Sequence, residues 1–573
     1  MKTPTMKTSM AETCAMKTTA MRRSMVKTFA DKTGAMKLFA MKGIFLAGSL
    51  VLGFYAAACG GGSTVTPTPG PTPTPQGTYS LASLNGTYAF SMSGTDNTQG
   101  LTISRIGSFH ADGQGNITMA IEDVNDGGSF STFNFTAAPA SNYTMSSDGK
   151  GLLTLSHPDV ANPSVADNFT FSIVLDSTSS GLLIETDGSS TMSGNFRLQN
   201  ISNSFATAYA FDVTGVDLAN GTSASFIGEF TTNGVSGVTG GEMDVNDGAS
   251  PSGAITLQPG TITLDATNFS NFGRGTLTLS TTLNSQLLNL SYVFYVVDGT
   301  HLVLVENDTV AATSGSATAQ AAVPTSVQAF PGSFVFAVGG AAISQGVFGG
   351  LTRAGRYTAD ASGNITNLSV DEDFSGGINT FPKSGGFSGV TYTIDAAGTG
   401  RGTLNFTDVT RNQTFQYVFY MASPTQGFIQ DDSANVVADG SLSVQSGTFT
   451  AASLAGSYAI NWSGVNLANG FEEDFVGVIP VSSAASNNIA GGVVDFTELG
   501  DGKIFTNIPV NGLLTLQGDG TLGGAQGNAL QLTTSQTPST TFNFRAYMVN
   551  NNTIIVVGVD SGRVVIGTAI RQQ

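Results

Sequence analysis

The chain reads L-N-G-T-Y-A-F-S-M-S-G from Leu84 to Gly94, and this stretch decides the fold because it returns three times. The related stretches are F-A-T-A-Y-A-F-D-V-T-G at Phe205–Gly215, F-P-G-S-F-V-F-A-V-G-G at Phe330–Gly340 and L-A-G-S-Y-A-I-N-W-S-G at Leu454–Gly464. Their fifth position is always aromatic and recurs at intervals of 121, 125 and 124 residues. Self-similarity at a fixed period is typical of repeat architectures. The sequence therefore predicts four tandem copies of one unit.

Other landmarks keep the same period. E-D-V-N-D-G at Glu122–Gly127 matches M-D-V-N-D-G at Met243–Gly248, and the fourth copy differs most around residues 480–501. Each copy also closes on a glutamine: Gln199, Gln320, Gln445 and Gln572. We therefore place the four units at residues 78–200, 201–322, 323–446 and 447–573.

Within a unit the hydrophobic pattern has a period of two. From Phe169 to Leu175 every second side chain is large and apolar, which is typical of a strand with one buried face. Pairs such as Asp112-Gly113 separate these runs and accept the positive φ angles of tight hairpins. The pattern predicts an all-β fold of antiparallel strands, about eight per unit. In the first unit they fall near residues 86–94, 99–112, 115–125, 129–137, 142–156 (one strand or two), 168–176, 181–187 and 190–199.

Eight short antiparallel strands in about 120 residues suit a meander β-barrel or a β-sandwich. Unpaired edge strands invite aggregation unless charges protect them, and only 11% of this chain is charged. Pairing the first and last strands removes the edges, so we favour the barrel and keep the sandwich as the alternative. The opening L-x-G-x-Y at Leu84–Tyr88 also resembles the start of lipocalin- and avidin-like barrels.

The N-terminal part has the pattern of an export signal. Basic Lys37 and Lys42 precede a 16-residue apolar run, Gly43–Ala58, which is shorter than the about 20 residues that a membrane-spanning helix needs. We assign residues 1–58 to this signal region. Residues 1–35, in which Met-Lys-Thr recurs, are interpreted as lying upstream of the true start, and a functional basic extension is the alternative.

The signal ends at Ala56-Ala57-Ala58-Cys59. This junction resembles the signals of bacterial lipoproteins, which implies cleavage before Cys59 and lipid attachment to that cysteine. Ala56 stands where such signals more often have leucine, and plain secretion or an uncleaved anchor are the alternatives. Residues 59–77 are then the lipidated cysteine and a Gly/Thr/Pro linker, whose alternating prolines favour an extended spacer of about 40 Å.

Charge and cysteine content exclude several classes of function. Without residues 1–58 the chain keeps 13 basic and 38 acidic residues, a net charge of −25, which argues against nucleic-acid binding. Cys14 and Cys59 are the only cysteines, so the mature part has no structural disulfide. The sequence contains no phosphate-binding loop and no H-E-x-x-H motif. We predict a protein that is not an enzyme.

The strongest candidate site is the acidic turn after the third strand of each unit. Carboxylate and amide oxygens clustered on a turn are the ligands that calcium prefers. The alternative is a hairpin turn whose side chains cap their own backbone. We predict no other cofactor. The candidate calcium ligands are Asp123, Asn125, Asp244, Asn246, Asp371 and Asp373.

Signal, spacer and four units together resemble the repeat-containing, β-rich bacterial lipoproteins of unknown function. The resemblance implies a cell-envelope protein, in the outer membrane or on the cell surface, held to the membrane by a lipid anchor; a secreted or periplasmic protein is the alternative. We predict non-catalytic binding or adhesion through the four barrels, with an extracellular ligand or envelope partner. A purely structural envelope component and an extracytoplasmic hydrolase are the alternatives.

Overall fold

The computed structural model describes residues 78–135, 141–158, 166–283, 286–344, 347–382, 385–483, 487–498, 503–516, 521–522, 530–535 and 539–573. The signal region, Cys59 and the Thr/Pro linker lie outside the described residues. Among those described, no helix is long and apolar enough to cross a membrane.

The described strands form four antiparallel sheets, each built from nine consecutive strands. We call these sheets barrels 1 to 4. Barrel 1 contains β1 (Asn85–Asp96), β2 (Thr102–Asp112), β3 (Ile117–Asp126), β4 (Ser129–Asn134), β5 (Asn142–Met145), β6 (Lys150–Pro158), β7 (Ala166–Ser177), β8 (Ser180–Glu185) and β9 (Ser190–Leu198). Barrel 2 contains β10 (Ala208–Asp217), β11 (Thr222–Thr232), β12 (Gly237–Asp247), β13 (Ser250–Gln258), β14 (Gly260–Leu264), β15 (Arg274–Leu283), β16 (Gln286–Asp298), β17 (His301–Glu306) and β18 (Ala311–Ala319).

The second half of the chain repeats this order. Barrel 3 contains β19 (Gly332–Ser344), β20 (Val347–Ala359), β21 (Ile365–Phe374), β22 (Gly377–Phe381), β23 (Phe387–Ile394), β24 (Arg401–Asp408), β25 (Gln413–Ser423), β26 (Gln426–Asp431) and β27 (Val436–Val444). Barrel 4 contains β28 (Gly456–Asn466), β29 (Phe471–Val481), β30 (Asn488–Glu498), β31 (Lys503–Leu514), β32 (Thr521–Leu522), β33 (Leu530–Thr534), β34 (Thr541–Met548), β35 (Thr553–Gly558) and β36 (Arg563–Arg571). The described helices are the short α1 (Phe269–Phe272) and 3-10 turns at Leu81–Ser83, Val327–Ala329 and Ala451–Leu454.

The first strand of every unit pairs with its last strand, as β1 does with β9. In barrels 2 and 4 the pairings close a ring, because β11 also pairs with β12 and β34 with β35. In barrels 1 and 3 an isolated bridge spans the remaining gap, Asn116 to Asn142 and Asn364 to Thr391. The all-β prediction of four tandem antiparallel units is confirmed, and the fifth predicted strand is split into β5 and β6.

Each barrel is filled by its own apolar core. The landmark aromatic is buried in this core. In barrels 1 to 3 it packs face to face on a ring of the second strand, with centroids 5.5 Å apart for Tyr88 and Phe109 and 5.3 Å apart for Tyr209 and Phe230. Burying one such side chain contributes roughly 1.5–3 kcal/mol. The repeated aromatic is therefore a core residue.

The landmark ends on glycine because two strands approach closely there. A Cβ on Gly94 would lie 2.0 Å from the carbonyl oxygen of Thr191, and one on Gly215 would lie 1.9 Å from that of Ala312. The equivalent distances are 2.2 Å at Gly340 and 2.0 Å at Gly464. Any side chain at these positions would push the first and last strands of the barrel apart.

The four barrels pack in a closed ring. The outer face of the first strands of one barrel lies against the last strands of the next through a second set of apolar clusters. These join barrels 1 and 2, 2 and 3, 3 and 4, and finally 4 and 1. Head-to-tail interfaces of one kind form a ring when the rotation closes. Here it closes after four units of a single chain.

The glutamine that ends each unit forms hydrogen bonds to the next barrel of the ring. The side-chain amide of Gln199 donates to the carbonyls of Phe272 and Val296, and that of Gln320 donates to those of Thr399 and Met421. Gln572 continues the series around the ring, because its amide donates to Asp148 O at 2.8 Å and Leu175 O at 2.7 Å. The last unit thus docks on the first as if it were the next repeat.

Candidate functional site

The six candidate residues lie within the third strands β3, β12 and β21, before the hairpin turn and not on it, so their placement on a turn after the third strand was wrong. These acidic strand ends lie at the interfaces between barrels. The Asp123 carboxylate of barrel 1 accepts two hydrogen bonds from Arg274 of barrel 2, from Nε at 2.7 Å and Nη2 at 2.9 Å. The Tyr295 hydroxyl donates a third at 2.6 Å. Charge-assisted, bidentate pairs of this kind are strong and geometrically specific. We call the arrangement the inter-barrel clamp.

The second clamp repeats the first. Asp244 of barrel 2 accepts hydrogen bonds from Arg401 Nε at 2.8 Å and Nη2 at 2.9 Å, and from the Tyr420 hydroxyl at 2.7 Å. Asp244 is buried. The clamp therefore recurs with the period of the sequence repeat.

The other two clamps are looser. Asp371 accepts a hydrogen bond from the Tyr547 hydroxyl at 2.6 Å, as in the first two clamps, but its Oδ1 lies 3.7 Å from Arg545 Nε. At the interface of barrels 4 and 1, Asp495 meets Lys150 Nζ at 2.6 Å and the Ser172 hydroxyl at 2.5 Å. A lysine ammonium has no fork for bidentate pairing, so the 4–1 interface has the least specific clamp.

In barrels 1 and 2, the candidate asparagine two residues after the clamp aspartate reaches the same neighbouring barrel. Asn125 Nδ2 donates to Glu306 O at 2.8 Å, and Asn246 Nδ2 donates to Asp431 O at 3.0 Å and Val436 O at 2.7 Å. Barrel 3 has Asp373 at this position, and burial raises the pKa of its carboxyl to about 7. A carboxylate cannot donate a hydrogen bond as an amide does. Protonation of Asp373 therefore gives this position a hydrogen-bond donor again.

The capping interpretation of these turns is partly realised. Asn125 Oδ1 accepts from Gly128 N at 2.8 Å, and Asp373 Oδ1 accepts from Gly376 N at 2.9 Å. The described residues include no group of three or more His, Cys, Asp or Glu side chains placed to hold one metal ion. Calcium binding by the six candidate residues stays a prediction.

A cavity of about 420 Å³ opens at the mouth of barrel 4. Its wall is mainly apolar and aromatic, with a charged and hydroxyl-bearing rim. The apolar residues are Phe475, Val494, Phe496, Phe505, Ile508 and Phe542, and the polar ones are Glu498, Lys503, Thr534, Thr540 and Arg563.

Barrels 1 and 3 place an arginine where barrel 4 has this cavity. Arg105 lies opposite Met92 on the second strand and pairs with Glu122 at 3.0 Å. Arg353 lies opposite Val338 and pairs with Glu372 at 2.6 Å. The corresponding residue of barrel 4 is Phe475, opposite Trp462. Barrel 2 also has a phenylalanine at this position, Phe226 opposite Val213, so barrels 2 and 4 carry an aromatic residue where barrels 1 and 3 carry an arginine.

The cation of barrel 4 comes from its last strand instead. Arg563 Nε lies 2.7 Å from Glu473 Oε1, and the guanidinium carbon lies 4.8 Å from the centre of the Phe542 ring. Burial raises the pKa of Glu473 to about 7. The arginine thus lines the cavity between Glu473 and Phe542.

Trp462, the only tryptophan, is fully buried behind this wall. It stacks on Phe475 with centroids 4.3 Å apart and an interplanar angle of 26°. It is a core residue in direct contact with the cavity lining. The divergence of residues 480–501 was the sequence signal for this site, because β30 supplies Val494, Phe496 and Glu498.

Comparisons with known proteins do not assign a family. No family model matches the chain, and no curated protein matches it. Among solved structures, one similar chain is the structure of intact Ap-TbpB, N and C lobes, at 10% identity and a TM-score of 0.16, over 69% of this chain and 84% of that one. At that TM-score the likeness carries no argument about function.

Proposed function

We propose that this protein is a non-catalytic binding protein of the cell envelope and that the mouth of barrel 4 is its ligand site. The cavity carries the proposal, because about 420 Å³ falls within the roughly 300–1,000 Å³ of small-molecule sites. Barrels 1 and 3 hold buried ion pairs at the equivalent place, so we assign the binding role to barrel 4 and not to those two.

The lining indicates the kind of ligand. Phe496 and Phe505 lie nearly parallel, at 20° with centroids 5.5 Å apart, and Phe542 stands edge-on to Phe475 at 78°. Aromatic faces of this kind pack on the apolar faces of rings, and Lys503, Arg563 and two threonines in the lining supply hydrogen-bond donors. The ligand is a ring with an apolar face and polar edges, as in a sugar unit of a glycan.

The carboxylates at the cavity support binding over hydrolysis. Glu498 accepts a hydrogen bond from Asn466 Nδ2 at 3.1 Å, and Glu473 is paired with Arg563. A glycosidase needs two carboxyl groups free to act on substrate. The extracytoplasmic hydrolase remains the second candidate, and release of reducing sugar from a bound glycan would establish it.

We expect glycans that bind the full mature chain to change the fluorescence of Trp462, because this single tryptophan stacks on the cavity wall. Phe505→Ala removes a stacking face, so we expect it to raise the Kd about tenfold, which corresponds to roughly 1.4 kcal/mol. The measurement is a fluorescence titration with a panel of glycans.

Phe471→Ala is the matched control, because Phe471 belongs to the same barrel but is exposed outside the cavity. It should leave the Kd unchanged. Equal losses in the two variants, or no fluorescence change with any ligand of the panel, would overturn the assignment of the site.

We further propose lipid attachment at Cys59, which would hold the ring at the membrane through the 59–77 linker. The support is the apolar run before Cys59 and the extended Thr/Pro spacer after it. Intact-mass analysis of the membrane fraction should show a chain that begins at Cys59 and carries acyl groups, and Cys59→Ser should release the protein from that fraction. An unmodified Cys59 would favour the secreted form.

A further inference from the structure

The 4–1 interface differs from the other three in being closed without a covalent link. Barrels 1 and 2, 2 and 3, and 3 and 4 follow one another along the chain, whereas the described residues of barrels 4 and 1 meet through side-chain contacts and contacts of the C-terminal residues. Its clamp is also the lysine version, Lys150 with Asp495. The ring can therefore separate at this interface without a chain connection holding the two barrels together.

Two buried acids face barrel 1 across this interface. Glu472 and Asp474 lie on the same face of β29, and both are at most 3% exposed. The Thr95 hydroxyl of barrel 1 donates to Glu472 Oε2 at 2.5 Å. The hydroxyls of Ser193, also in barrel 1, and Ser463 flank Asp474. Each acid thus meets a hydroxyl of the partner barrel.

The equivalent positions of barrel 1 carry no acid. The strand register gives the equivalences. Glu472, which pairs with Val465, is equivalent to Thr102, which pairs with Thr95. Asp474, which pairs with Ser463, is equivalent to Ser104, which pairs with Ser93. The 1–2 interface is therefore built with neutral hydroxyls where the 4–1 interface has two carboxyl groups.

The described residues supply no cation for this pair. The charged groups on the packed strands are otherwise engaged, and no lysine, arginine or histidine among the described residues forms an ion pair with Glu472 or Asp474. Asp96 on β1 is one of these groups. The others form three pairs, which are Lys150 with Asp495, Arg197 with Asp176, and Arg105 with Glu185. Two like charges buried together cannot both ionise cheaply.

Burial raises the pKa of Asp474 to about 7, and burial together with the neighbouring charge of Asp474 raises the pKa of Glu472 well above its ordinary value. A carboxyl group whose pKa is higher in the closed state stabilises that state fully below its unfolded value, about 4. This stabilisation is lost as the pH rises through about 7. Closure is therefore favoured at low pH.

We propose that the 4–1 interface is a proton-closed gate, which opens the ring between barrels 4 and 1 when Glu472 and Asp474 ionise. Opening uncovers the apolar cluster of Val174, Leu182, Ile184, Ala459, Val476 and Val478. It leaves the barrels folded, because the sheets do not share strands. Above the pKa, each further pH unit shifts the equilibrium between the closed and open states about tenfold toward the open state for each proton released.

The test is X-ray scattering of the full mature chain between pH 5 and 9, with strand content followed by circular dichroism. We expect a reversible increase in the radius of gyration above about pH 7 at constant strand content. Hydrogen exchange should become at least tenfold faster in β7, β8 and β29. A radius that stays constant to pH 9 would overturn the gate.

The decisive variant is E472T/D474S, which installs the residues that barrel 1 has at these positions. It should remain closed at pH 9, and E472Q/D474N offers a second neutral pair if the first variant does not fold. Opening of either folded neutral variant like the natural chain would contradict the proposal.

Acids at other interfaces provide the control. Asp212 and Asp439 form a similar buried pair between barrels 2 and 3, and Asp373 titrates between barrels 3 and 4. D212S/D439S and D373N should still open between barrels 4 and 1. If these variants abolish opening while E472T/D474S does not, the gate lies elsewhere and the proposal fails.

Discussion

Replacing Asp244 with alanine is expected to destabilise the folded chain by about 3–5 kcal/mol, because it breaks a buried ion pair by removing one partner. Asp244 is buried and accepts from Arg401 and Tyr420 across the 2–3 interface. Without it, the Tyr420 hydroxyl loses its carboxylate acceptor and the Arg401 guanidinium loses both of its hydrogen bonds to the buried carboxylate. Urea unfolding followed by circular dichroism measures the change.

The same arginine supplies the control. Arg401 Nη1 also meets Asp395 Oδ2 at 3.1 Å, but this carboxylate is 38% exposed. Exposed pairs contribute about 0–1 kcal/mol, so Asp395→Ala should change stability little. The double variant D244A/R401A should recover part of the loss, since it leaves no unpaired guanidinium. If Asp244→Ala is no worse than Asp395→Ala, the clamp does not hold the barrels together.

The sequence allowed the fold to be predicted because each unit repeats three local signals. Alternating apolar residues define the buried face, turn pairs such as Asp112-Gly113 mark hairpins, and the landmark stretch marks the first strand of each unit. Four copies of the landmark make an accidental pattern very improbable. The split of the fifth strand depends on a turn at Ser146–Lys150. The sequence alone was compatible with one strand or two at residues 142–156.

The acidic turns were recognised, but their partners were not. Asp123 and Arg274 are separated by 151 positions, and Asp244 and Tyr420 by 176. A pairing over such a distance depends on how the barrels pack, which no local pattern encodes. The recurrence of Arg274 and Arg401 at the first position of β15 and β24 is the signal that could have indicated a repeated partner.

The cavity was missed for a different reason. Divergence near residues 480–501 was visible in the sequence, but its consequence depends on which face of β30 is buried. Only the register shows that Phe475 replaces the arginine that fills barrels 1 and 3. The ring was missed too, although the closing glutamines marked all four interfaces.

Trp462→Ala is expected to destabilise barrel 4 by about 3–5 kcal/mol, the usual loss when a buried large aromatic is truncated. Trp462 is fully buried and packs on Phe475, Phe542 and Phe544. Chemical unfolding measures the loss, and hydrogen exchange should locate it in β28–β36 and leave β10–β18 unchanged.

Trp462→Met separates volume from aromatic stacking. Methionine is the residue that barrel 1 has at this position, Met92, opposite Arg105. In barrel 4 the opposite residue is Phe475, so Met would refill part of the void but lose the stacked ring. We therefore expect a loss smaller than that of alanine but clearly above zero. If the Trp462→Met variant is as stable to unfolding as the natural chain, Trp462 is not needed for the core of barrel 4. Its place behind the cavity wall must then be explained by the ligand site.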